Sequence, residues 1–210
     1  MTRILFVCTA NVCRSPFAQS MLTDALADFS TLGDVVVESA GTRALPGEPL
    51  CALAGSMVGW TASGAKFARS HRTRQLERAA VEEADLVLTA EVAHRGIASA
   101  LAPGAQGRIF TLLEAADLAE FVGENYEPVI GKADIRFARW VVALDEARGL
   151  VPARGQASRL HRLLGRRPHE LRSPVDIPDG HPRRSRRHRE TLDSVGSAVE
   201  RLVRSMHSLR

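Results

Sequence analysis

The 210-residue chain has little of what marks a secreted, membrane or metal-stapled protein. Its three cysteines are an odd number without repeated spacing, which gives no disulfide framework and suits a reducing cytoplasm. No apolar run approaches the roughly 18 residues that span a bilayer, so no membrane segment is expected. The apolar stretch after Arg3 is too short for a secretory leader, and Cys8 and Asn11 interrupt it. No Cys/His group has metal-ligand spacing, so neither a metal nor a cofactor is expected. Aromatic residues make up only 5% of the chain, too few to interleave with its arginines as a nucleic-acid surface would require.

What is present is an ordinary globular composition with one uneven feature. A hydrophobic content of 45% over this length supplies a core for one domain, and the whole chain reads as one. Residues 154–189 hold 11 arginines against Glu170, Asp176 and Asp179, a local +8, while the other 17 basic and 21 acidic residues leave −4. The basic excess is therefore local and reads as a solvated face.

The most informative stretch is the first. Arg3-Ile4-Leu5-Phe6-Val7 reads as a buried strand, and it runs into Cys8-Thr9-Ala10-Asn11-Val12-Cys13-Arg14-Ser15-Pro16. Ser15 as a cap and Pro16 in the first turn announce a helix, which Phe17, Met21, Leu22, Ala25 and Leu26 continue at helical spacing. A short loop returning to a helix N-terminus turns backbone N–H groups inward and favours an anion. The same field should lower the thiol of Cys8 below its free value of about 8.5. Arg14 offers a planar fork for two phosphoryl oxygens, and the Ser15 hydroxyl can steady the sulfur. These residue types together suit phosphoryl transfer through a cysteinyl-phosphate.

The run Val7–Pro16 resembles the phosphate loop of low-molecular-weight protein tyrosine phosphatases, whose fold relatives include arginine-phosphate phosphatases and arsenate reductases. The resemblance implies that residues 9–15 (Thr9, Ala10, Asn11, Val12, Cys13, Arg14 and Ser15) bind the phosphoryl group. Family loops commonly carry Gly where Ala10 stands; a positive φ there would cost Ala about 1 kcal/mol. Ser39-Ala40-Gly41-Thr42 is similar to the family turn whose serine holds the loop asparagine, which implies a bond between Ser39 and Asn11. The stretch Phe67–Leu76 matches another family segment, and makes His71 a further support of Asn11. Cys51 is expected to be an inert core or helix thiol. Cys13 could pair reversibly with Cys8 or simply pack.

Strands are expected at Arg3–Val7, Val35–Glu38, Ala84–Thr89 and Arg108–Leu112. Helices are expected over about 17–26, 50–62, from Thr73, 91–101, 113–121, 135–144, 160–164 and 187–206. This alternation implies an α/β fold, a three-layer α-β-α sandwich on a four-stranded parallel sheet, with Cys8 at the carboxyl end of a strand. The resemblance lapses over about 123–172, which reads as a mainly helical insertion on one edge.

Resemblance returns at Val175-Asp176-Ile177-Pro178-Asp179-Gly180. By position Asp179 is the general acid, and Asp176 a loop-capping carboxylate. Gly180 replaces the family proline and His181 the family aromatic, which suggests a looser acid loop and no ring to sandwich a phenyl group. The implied function is a cytoplasmic phosphatase: Cys8, Arg14 and Asp179 catalyse, Ser15, Ser39 and His71 support, and phosphorylated proteins or small phosphomonoesters are substrates. Phosphate or sulfate would fill the loop. Val12, aliphatic as in the tyrosine phosphatases, favours phosphotyrosine. The alternatives are a catalytically weak module that binds phosphorylated partners, an arginine-phosphate phosphatase and an arsenate reductase.

Overall fold

A computed structural model describes residues 1–27, 33–125, 130–151, 175–181 and 185–206. Four strands, β1 (Thr2–Cys8), β2 (Val35–Gly41), β3 (Leu86–Thr89) and β4 (Ile109–Thr111), form one parallel sheet in the order β2-β1-β3-β4. Along β1, Ile4 and Phe6 enter one apolar cluster while Leu5 and Val7 enter the other. Leu86 and Leu88 against Val87 repeat that division in β3. Period-two side chains buried on both faces explain why the strands read as continuous apolar runs.

Helices α1 (Arg14–Leu26), α2 (Ala52–Val58), α3 (Ala62–Ser70), α6 (Leu112–Asn125), α7 (Ala133–Glu146) and α8 (Ser185–Met206) supply much of the first cluster. Helices α4 (Arg78–Glu83) and α5 (Val92–Leu101), with the 3-10 turn Pro103–Arg108, cover the opposite face. The strand order reverses at β1, so the crevice beyond its carboxyl end lies where open α/β sheets bind ligands. Among the described residues no helix is long and apolar enough to cross a membrane.

Several elements differ from the sequence reading. Ser15 does not cap α1: Cys13 holds the N-cap position without a side-chain bond, and the Ser15 hydroxyl is engaged in the site. The expected helix over 50–62 is α2, followed by a break that lets α3 restart. There the Thr61 hydroxyl accepts from the Gly64 N–H, and a Cβ on Gly64 would lie 2.0 Å from the Val58 carbonyl oxygen. Thr73 starts no helix. Residues 74–76 pair with the end of β2 instead, Gly41 N–H to Arg74 O and Leu76 N–H to Gly41 O, and α4 begins at Arg78.

α7, within the expected insertion, packs its apolar face into the core. Its Phe137, Trp140 and Leu144 are at most 1% exposed and share one cluster with Phe110, Leu112 and Leu118. The basic stretch 154–172, the helix expected at 160–164, and Arg183 and Arg184 lie outside the described residues.

Candidate active site

The loop from Cys8 to Arg14 is a cradle because five of its carbonyls, those of Cys8, Thr9, Asn11, Val12 and Cys13, are engaged by partners outside the concave side. Cys8 O accepts from Thr42 N–H (2.9 Å), Thr9 O from Arg43 N–H (2.8 Å) and Val12 O from Cys51 N–H (3.0 Å). Asn11 O meets His71 Nε2 at 2.9 Å, and Cys13 O accepts from Phe17 N–H at 3.0 Å. In a trans peptide the N–H points opposite the C=O, so the following N–H groups face the concave side. That is the polarity of an anion nest.

The close approach of β2 closes the back of this cradle. A Cβ on Gly41 would lie 2.6 Å from Thr9 O and 2.9 Å from Asn11 N, so only glycine fits there. The left-handed residue of the loop is Asn11, with φ +58°, and not Ala10. Asparagine tolerates that region, so the replacement at position 10 carries no φ penalty.

Asn11 organises the loop from below. Its Nδ2 donates to Ser15 Oγ (3.0 Å) and Ser39 Oγ (2.8 Å), and its Oδ1 accepts from Arg74 N–H (3.0 Å). Ser39 in turn donates to Gln19 Oε1 at 2.7 Å. Burial holds His71 below its ordinary pKa, with Arg72 and Arg74 adding to the shift and the Asn11 carbonyl opposing it. The ring is therefore neutral against that carbonyl at neutral pH.

The Cys8 sulfur is buried, 3.1 Å from Ser15 Oγ. Arg14 is 3% exposed, and its guanidinium is fixed by Glu91, by Ile177 O (2.9 Å) and by Thr9 Oγ1 (3.2 Å). Asp179 Oδ2 stands 3.4 Å from Arg14 Nη2, which brings this distant carboxylate to the phosphate loop. Asp176 is turned away and accepts from Val92 N–H at 2.7 Å, at the start of α5. His94 Nε2 meets Thr9 Oγ1 at 2.9 Å, and burial, then Arg14, lower its pKa.

The acid loop is held tightly, contrary to the looseness expected from Gly180. Ile177 N–H donates to Ala90 O (2.8 Å), Thr191 Oγ1 donates to Pro178 O (3.1 Å), and His181 N–H donates to Asp179 Oδ1 (2.9 Å). A Cβ on Gly180 would meet Arg187 O at 2.6 Å and His188 Cα at 2.8 Å. Glycine is needed there because the loop lies directly on α8.

Glu91, His94, Cys51 and His188 were not singled out as site residues by sequence reasoning. Glu91 follows the carboxyl end of β3, a position that could have flagged it. The Cys13 sulfur is hydrogen-bonded to Cys51 and lies 3.0 Å from His181 Nδ1. Its bond to Cys51 and burial push the Cys13 thiol up. The same bond, helped by Ala54 N–H, holds Cys51 down to about 6. Cys/His residues without ligand spacing in the sequence thus meet in the fold.

Comparison with known proteins gives a consistent set. Residues 3–127 match the model of the low molecular weight phosphotyrosine protein phosphatase family. A probable low molecular weight protein-tyrosine-phosphatase EpsP of Ralstonia nicotianae is 34% identical over 119 residues, covering 56% of this chain and 76% of that protein. A protein-arginine-phosphatase of Geobacillus stearothermophilus is 34% identical over 110 residues, 52% of this chain and 65% of its own. A solved low molecular weight phosphotyrosine phosphatase from Vibrio cholerae shares the fold at a TM-score of 0.61 and 17% identity, covering 99% and 97% of the two chains.

Proposed function

From the premise that the chain belongs to the low molecular weight phosphotyrosine protein phosphatase family, we propose that it hydrolyses protein phosphotyrosine through Cys8. The observation that carries this reading is the outward set of the loop carbonyls around a buried sulfur, with Arg14 and Asp179 at its mouth. In the first step the Cys8 thiolate attacks phosphorus in line. The loop N–H groups and the Arg14 fork hold the equatorial oxygens, over which the transition-state charge is spread. Asp179 gives its proton to the leaving phenolic oxygen.

In the second step Asp179 takes a proton from water, whose oxygen attacks phosphorus. The S–P bond breaks, and inorganic phosphate and the thiolate are released. The Ser15 hydroxyl has two acceptors within reach, Ala40 O at 3.3 Å and the Cys8 sulfur at 3.1 Å. Turning to the sulfur when it is ionised steadies both nucleophile and leaving group.

Val12 supports phosphotyrosine over phosphoarginine, because an isopropyl group offers no acceptor to a substrate guanidinium. A nucleophile that must stay reduced suits the cytoplasm. Initial rates on phosphotyrosine peptide, phosphoarginine peptide and p-nitrophenyl phosphate test the proposal. The expected order has phosphotyrosine above phosphoarginine, with Cys8→Ser inactive on all three yet still binding inorganic phosphate. Turnover by Cys8→Ser overturns the nucleophile; phosphate binding without wild-type turnover turns the reading to a binding module.

A further inference from the structure

We propose that Cys13, Cys51, His181 and His188 form a binding site for one Zn²⁺ ion, separate from the reacting sulfur. One ligand atom from each of the four lies within 4.8 Å of all the others, and Cys13, Cys51 and His188 are buried. Two pairs are closer: Cys13 Sγ to His181 Nδ1 at 3.0 Å, and Cys51 Sγ to His188 Nε2 at 3.7 Å. Zinc bonds of about 2.3 Å to sulfur and about 2.0 Å to nitrogen put tetrahedral ligand edges at roughly 3.3–3.8 Å. The observed spread brackets those edges, so adjustments of an ångström or less convert the cluster into a coordination shell.

The chemistry fits one class of ion. Two sulfurs and two imidazole nitrogens in one compact group select zinc over the hard, oxygen-seeking cations. On binding, both thiols release their protons to solvent, and two thiolates balance the charge of Zn²⁺ beside two neutral imidazoles. Ala54 N–H already donates to the Cys51 sulfur at 3.4 Å, the kind of outer bond that steadies a ligating thiolate. The imidazoles stand edge to face, with centroids 4.9 Å apart.

The four ligands come from four places in the fold. Cys13 is the N-cap residue of α1, Cys51 that of α2, His181 stands two residues beyond Asp179, and His188 lies in the first turn of α8. One ion would therefore tie the phosphate loop to the acid loop and the last helix. His181, in place of an aromatic gate, becomes the ligand that holds Asp179 near Arg14.

The test is zinc content after chelation, reloading with Zn²⁺ and desalting, together with thermal unfolding with and without Zn²⁺. Wild type and Cys8→Ser are expected to retain one equivalent per chain and to gain melting temperature with the metal. Cys51→Ser and His188→Ala are expected to bind at least 100-fold more weakly and to gain nothing. Where either buried variant does not fold, His181→Ala decides, because that imidazole is exposed. The proposal is overturned if wild type takes up no zinc, if Cys8→Ser loses it, or if the folded variants hold it as wild type does. Zinc content is read without turnover, so this result stands apart from the hydrolase reading.

Discussion

At the scale of single residues, Asn11 carries the shape of the phosphate loop. It combines a left-handed backbone, which few side chains accept, with three side-chain hydrogen bonds to Ser15, Ser39 and Arg74. Asn11→Ala keeps the strain and leaves buried partners unsatisfied, so it should cost about 2–4 kcal/mol in urea unfolding and weaken phosphate binding. Asn11→Gly removes the backbone strain and should recover part of the stability but not the affinity. Equal losses in both variants would show that the side-chain bonds alone matter, and unchanged affinity would show that the cradle is set without them.

At the scale of elements, local pattern and long-range partnership separate cleanly. β1, the loop and α1 were legible because the apolar run, the Cys-to-Pro stretch and the helical spacing lie within 26 residues. Asp179 was legible only through resemblance, since 165 positions separate it from the Arg14 beside it. Glu91 on Arg14 and His188 on Cys51 lie 77 and 137 positions from their partners, distances no spacing rule spans. The helix expected from Thr73 failed for a related reason: pairing with Gly41 outweighed local preference. α7 is the element whose place is most open to test. Trp140→Ala should cost about 3–5 kcal/mol by leaving a cavity between α7 and the core. Trp140→Phe should cost less, because the indole Nε1 has no hydrogen-bond partner among the described residues. A denaturation midpoint for Trp140→Ala equal to that of wild type would mean that α7 adds nothing to the common core.

At the scale of the whole molecule, two neutral imidazoles tie folding to proton concentration. His71 sits under Asn11 O, and His94 touches Thr9, which also accepts from Arg14; burial is the leading cause of the lowered pKa in both. The groups around them do not reverse the shift: at His71 Arg72 and Arg74 add to it against the Asn11 carbonyl, and at His94 Arg14 adds to it against Glu91, Asp176 and Asp179. Since each folded pKa lies below the unfolded value of about 6.5, the unfolded chain binds more protons in the interval between them. The stability these histidines contribute is thus complete above about pH 6.5 and declines as pH falls toward the folded values. Urea midpoints from pH 8 to pH 5 should fall more steeply for wild type than for a His71→Gln, His94→Gln double variant over the acidic half of that range. Each glutamine keeps an amide near its former partner but takes up no proton. Parallel profiles for the two proteins would remove these histidines as the source of acid sensitivity.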